Sequence, residues 1–153
     1  LADVPHKDWR RSRAAAENVI PTTTGAARAV GKVLPELEGK LDGIAMRVPV
    51  PDGSVVDLVA RLGRETTAEE VKSVLRTAAE TDQLNRIVEY QDEPIVSTDI
   101  IGNSHSSIFD APFTQVVDGS LVKTLNWYDN EWGYSNRVVD LISILSDLGT
   151  PPA

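Results

Sequence analysis

Residues 113–129 read FTQVVDGSLVKTLNWYD, and this stretch decides what kind of fold the chain can have. FTQVV (113–117) and LVKTLNWYD (121–129) read as strands, and DGS (118–120) supplies a turn between them. So short a connection makes the two strands antiparallel neighbours, because parallel neighbours need a crossover of a dozen or more residues. Upstream, SSIFDA (106–111) and RIVEY (86–90) read as further strands. Farther back, Ile44, Met46 and Val48 alternate with Ala45 and Arg47, the period of two of a strand. PDG (51–53) supplies a turn, and alternation resumes after it. There Val56, Leu58, Ala60 and Leu62 form a wholly apolar set, so one face of that strand is expected to be buried.

Three helices complete the pattern. TTAEEVKSVLRTAAE (66–80) is the clearest, with a capping box at Thr67 and Glu70. Val71, Val74, Leu75, Ala78 and Ala79 form one apolar stripe, the face of a helix that covers a sheet. A second helix is expected from Ala26 to about Leu34. Pro21, the following threonines and Gly25 read as its turn and cap, Thr24 as its N-cap, and Pro35 as its end. The last runs from about Tyr134 to Leu148. Val138, Leu141, Ile142, Leu145 and Leu148 line one side of it, Val139 and Ile144 widen that side, and GTPPA (149–153) closes the chain with helix breakers. The order predicts an α+β fold with a large mixed, mostly antiparallel sheet and helices covering one face. It is not an alternating βαβ pattern, and GxGxxG is absent.

Composition narrows the function. The length of 153 residues suits one domain with a real core. A net charge of −8 argues against general nucleic-acid binding, which needs a basic face. A local pair of arginines can still dominate a small pocket for anionic metabolites. There is no cysteine, which removes disulfides, thiolate metal sites and a thiol nucleophile from this chain. With only two histidines, 99 positions apart, no metal site is expected. No apolar run approaches the ~18 residues of a membrane-spanning helix, and no signal peptide is evident. The text opens on Leu1 in LADVPHKDWRRSR, which reads as a chain whose N-terminal part lies elsewhere.

Candidate chemistry is sparse. Arg47 interrupts a strand of Ile, Ala, Met and Val. It fits either an outward-facing strand arginine or a guanidinium held rigidly to grip phosphate, whose geometry the planar fork matches. TTTG (22–25) at a helix start is the complementary half, offering hydroxyls and backbone N–H groups to an anion. Together they suggest a small phosphorylated substrate. Arg10, Arg11 and Arg13 lie in an opening stretch that reads as a solvated loop. His6 and His105 have no evident nucleophile neighbour, so no catalytic residue is assigned.

Two long stretches carry a resemblance. PHKDWRRSRAAAENVIPTTTGAARAVGKVLPELEGKLDGIAMRVPVP (5–51) and WYDNEWGYSNRVVDL (127–141) are similar to the C-terminal half of phosphorylating glyceraldehyde-3-phosphate dehydrogenases, and the likeness runs from Val4 to Leu148. The resemblance implies oxidation of glyceraldehyde 3-phosphate with NAD or NADP and inorganic phosphate to 1,3-bisphosphoglycerate, in a cytoplasmic glycolytic homotetramer that binds neither nucleic acid nor membrane. It implies that Thr24 and Gly25 belong to an anion site and Arg47 to a substrate-phosphate site. Arg10, or Arg11 beside it, matches a further phosphate-binding arginine. Asn130 would lie near the nicotinamide carboxamide with Tyr134 packed close by. The family's nucleophilic cysteine and histidine motifs are not in this text, nor is its Rossmann domain, so this chain alone is expected to be inactive. Residues 1–133 would form the catalytic domain, and 134–153 a helix that packs on the nucleotide-binding domain. Rival readings are a sister enzyme acting on erythrose 4-phosphate and a non-catalytic assembly module of the same fold.

Overall fold

The computed structural model describes residues 2–149, so most of the expected helix-breaking end lies outside the described residues. The chain divides into two compact units, Leu1–Pro51 and Asp52–Ala153.

The first unit is built on a two-stranded ribbon. β1 (Ile20–Thr23) runs antiparallel to β2 (Ile44–Arg47), with Ile20 opposite Arg47 and Thr23 opposite Ile44. Ile20 and Thr22 are buried on one face, while Ile44 and Met46 on the other are more than half exposed. The sequence pattern suggests a turn and cap at Pro21 and the threonines; Pro21, Thr22 and Thr23 are strand instead, and Thr24 follows it. Their alternation is hidden because a polar residue, Thr22, occupies an inward position. Helix α1 (Ala26–Val33) follows at once. It ends before Pro35 because the proline ring pushes the preceding residue out of the helical region; Leu34 has φ −118° and ψ 85°.

The second unit is a four-stranded sheet with two helices. β3 (Ser54–Arg61), β4 (Val88–Gln91), β5 (Ser107–Val117) and β6 (Leu121–Tyr128) stand in the order β3-β6-β5-β4. The β3–β6 and β5–β6 pairs are antiparallel and β4–β5 is parallel, so the sheet is mixed and mostly antiparallel. The turn at Asp118 and Gly119 has both φ positive, at 50° and 66°, the left-handed geometry that matches the twist of a tight hairpin. SSIFDA and FTQVV prove to be one strand of 11 residues rather than two. The register shifts between Asp110 and Gln115, around Pro112, which has no N–H to give the ladder.

Helix α2 (Ala68–Ala79) lies on β4 and β5 and carries the expected capping box. Glu70 N–H donates to Thr67 Oγ1, and Thr67 N–H donates to Glu70 Oε2, each at 3.1 Å. The core gathers Ile100, Ile108, Phe109, Ala111 and Val122, with Tyr90 tilted against Phe109 at 5.5 Å. The turn at PDG closes no hairpin, because β2 pairs with β1 and β3 pairs with β6. The apolar set on β3 is not buried either: Val56 and Leu58 are 47% and 41% exposed. The reason is position, since α2 covers the opposite edge of the sheet from β3.

Helix α3 (Trp132–Gly149) begins two residues earlier than Tyr134. Arg137 anchors it, pairing with Asp140 at 2.8 Å and donating to the Arg86 carbonyl at 2.9 Å and Ser106 Oγ at 3.2 Å. Beyond that anchor Leu141, Ile142, Leu145 and Leu148 are each more than half exposed.

Candidate functional site

Among the residues singled out from sequence, Arg47 ends a strand, and Thr24, Gly25 and Asn130 come just after one. In the first unit, the ribbon puts Ile20, Thr22, Ala45 and Arg47 on one face, since residues directly opposite in an antiparallel pair point the same way. Arg47 is exposed at the end of β2 and makes no ion pair among the described residues. Thr24 follows the other end of β1. Thr24 stands four residues beyond Ile20, the partner of Arg47, so roughly 13 Å of strand separates them at ~3.3 Å per residue. Thr24 and Arg47 therefore stand toward opposite ends of one ribbon.

Thr24 is not the N-cap of α1; Gly25 is, with φ −94° and ψ −2°. Thr24 Oγ1 accepts only the N–H of Ala26, at 3.2 Å, so its hydroxyl reaches just the first helical residue. No side chain caps the helix from the Gly25 position. The first N–H groups of any helix lack intrahelical acceptors, so this end is open to an anion. A Cβ on Gly25 would meet nothing within 4 Å, so the space beside this turn is open.

Arg10 sits in a run of turns held locally. Arg10 N–H donates to Asp8 Oδ1 at 2.9 Å, and Val4 N–H donates to the Ser12 carbonyl at 2.9 Å. Arg13 is engaged with Asp3 at 3.7 Å, whereas Arg10 and Arg11 are exposed and in no ion pair among the described residues. Their local surroundings do not distinguish them.

In the second unit, Asn130 and Tyr134 occupy the passage from β6 into α3. Both are exposed, Tyr134 at 72%. Sequence reasoning missed what holds them. Asp129 is buried and collects three backbone N–H groups. Its Oδ1 accepts from Glu131 at 3.0 Å and Trp132 at 2.7 Å, and its Oδ2 from Gly102 at 2.8 Å. The Trp132 and Gly102 N–H groups hold its carboxyl below the usual carboxylate range, against the opposing effect of burial. The preference of Asp for helix starts was the signal available. Ser54 was missed as well. Its hydroxyl donates to Asn130 Oδ1 at 3.0 Å across 76 residues, a pairing no local pattern shows.

The histidines are tied into structure. His105 Nδ1 lies 2.8 Å from Asn103 Oδ1 and 3.1 Å from Glu89 Oε2, and its Nε2 lies 3.2 Å from the Asn85 carbonyl. His6 Nδ1 accepts the Asp8 N–H at 2.9 Å. An open recess of about 370 Å³ beside His105, lined also by Arg76, Glu89, Tyr90 and Asp92, contains none of the singled-out site residues. Among the described residues no group of three His, Cys, Asp or Glu side chains could hold a metal ion. No helix among them is long and apolar enough to cross a membrane.

This α+β chain, with its strand arginine and its two strand-to-helix junctions, matches over residues 1–130 the family described as glyceraldehyde 3-phosphate dehydrogenase, C-terminal domain, and it belongs to that family. Glyceraldehyde-3-phosphate dehydrogenase 1 of Bacillus subtilis is 60% identical over 149 residues, 97% of this chain and 44% of the relative. The enzyme of Geobacillus stearothermophilus is 58% identical over the same shares of both chains. That of Streptomyces coelicolor is 60% identical over 92% of this chain and 42% of its own. The chain thus spans less than half the length of the curated relatives it matches.

Proposed function

We propose that the full-length protein oxidises glyceraldehyde 3-phosphate to 1,3-bisphosphoglycerate with NAD or NADP and inorganic phosphate, as a cytoplasmic glycolytic homotetramer. The observation that carries this reading is Arg47: a guanidinium on a paired strand, exposed, with no carboxylate partner among the described residues. A charge kept unpaired on a rigid element is suited to a charged ligand. In this reading Arg47 holds the substrate phosphate, and Thr24 and Gly25 offer the start of α1 to the attacking phosphate or the substrate phosphate. Arg10, or Arg11 beside it, adds a third cationic contact.

Asn130 and Tyr134 face the nicotinamide end of the cofactor, which when bound accepts hydride from the substrate. Their exposure at a framed corner fits that role, since a polar amide and an aromatic ring are both available to a flat, amide-bearing group. A thiolate nucleophile has to come from outside this stretch, because the chain has no cysteine. The exposed apolar side chains of α3 and β3 give the surfaces for the rest of the assembly: α3 packs on the nucleotide-binding domain, and residues 1–133 form the catalytic domain.

The test is Arg47→Ala in the full-length protein. Loss of a charge-assisted contact of about 1.5–3 kcal/mol lowers kcat/KM for the phosphorylated aldehyde by roughly 10- to 150-fold. Unchanged constants for aldehyde and phosphate would refute the role. Calorimetry with inorganic phosphate separates this reading from a non-catalytic module, which would give no heat.

A further inference from the structure

Asn130 is held from two sides, and the second hold determines what it can recognise. The first acts on the backbone. Asp129 caps α3 through Glu131 and Trp132 and ties the corner to Gly102, while its carbonyl accepts the Gly133 N–H at 3.0 Å. Asn130 therefore sits inside a turn whose flanks cannot shift independently.

The second hold acts on the side chain. Ser54 starts β3 opposite Tyr128, so the register brings it beside the β6 end. Its own placement is constrained by Gly53, which has φ +88° and where a Cβ would lie 2.9 Å from the Ser97 carbonyl. From there the Ser54 hydroxyl donates its one proton to Asn130 Oδ1. An amide whose oxygen is turned toward a donor on one side turns its NH₂ group, with two donors, the other way.

We propose that Ser54 is a positioning residue that fixes the Asn130 amide with its NH₂ outward, so that this corner selects a ligand carrying a carbonyl acceptor at that point. The proposal rests on the reading in which Asn130 faces the cofactor, where the acceptor is the carboxamide oxygen. Ser54 touches no reacting atom. It acts through Asn130, and the selectivity it creates is for the carboxamide end of the dinucleotide alone.

The test is calorimetry on the full-length protein with two probes: oxidised nicotinamide adenine dinucleotide, and ADP-ribose, which has no carboxamide. Ser54→Ala is expected to bind the dinucleotide about 3- to 10-fold more weakly, the worth of one neutral hydrogen bond, and ADP-ribose as wild type does. Ser54→Thr, which keeps the hydroxyl, should restore dinucleotide binding. Equal weakening for both probes would mean a merely structural role and would overturn the proposal, as would an unchanged affinity for the dinucleotide. If the wild-type protein bound neither probe, the functional reading itself would fail and this inference with it.

Discussion

The chain passes from strand to helix at Thr24-Gly25 and again at Asp129-Asn130, and the two junctions are built oppositely. At the second, a buried carboxylate fills the start of α3 and reaches back to Gly102. At the first, Thr24 takes only the Ala26 N–H, and Gly25 puts no side chain over the start of α1. A helix N-terminus carries about half a positive charge that something must satisfy. Where the protein supplies the anion itself, the junction is a structural fixture. Where it supplies a glycine, no side chain caps the helix from that position, and whether a ligand does so is what the proposed anion site has to answer.

The largest effect should come from removing the internal anion. Asp129→Ala takes away the cap of α3 and leaves the Gly102 N–H without its acceptor, a combined cost of about 2–4 kcal/mol in urea unfolding. The same carboxylate gives stability a pH dependence. Its pKa is lower folded than unfolded, so its contribution is complete above the ordinary value of 3.8 and is lost as pH falls through the lower folded value. The acid limb of the stability curve should be flatter in Asp129→Ala than in wild type. A variant with the wild-type unfolding midpoint and the wild-type acid limb would erase the contrast between the junctions.

Helix α2 provides an intermediate case. Its start is capped by its own residues, as at α3, but Thr67 is exposed. Thr67→Ala is expected to cost about 1 kcal/mol in the same unfolding measurement, with phosphate affinity unchanged. A cost equal to that of Asp129→Ala would show that burial of the capping group adds nothing.

How far these features could be read in the sequence follows from the range of the interactions. The α2 capping box and the Asp118-Gly119 turn were legible because each is a contact within four residues. The β1–β2 pairing was not, because its partners are 24 or so positions apart and one inward residue is a threonine. The β3 strand was found, but its apolar face misled: alternation reports that a face is suited to burial, not that this chain covers it. At the site, Arg47, Thr24 and Gly25 stood out by residue type in context. Their separation along the ribbon depends on a register that local sequence does not encode. Ser54 was invisible for the same reason, since its role rests on one contact across the sheet.

The smallest effect on stability is also the sharpest test of the comparison. Gly25→Ala introduces a methyl group where nothing lies within 4 Å, at a φ of −94° that alanine can adopt. Alanine is a poorer N-cap than glycine, so some loss is expected, but under about 1 kcal/mol. If the residue were there for the fold, little else would change. If it is there to let an anion approach the first N–H groups of α1, the methyl group stands in the way, and inorganic phosphate should bind the full-length protein about 10-fold more weakly, a loss of about 1.4 kcal/mol by calorimetry. A variant that binds phosphate normally would close the first junction as a ligand site. One that unfolds as readily as Asp129→Ala would make it a structural fixture like the second.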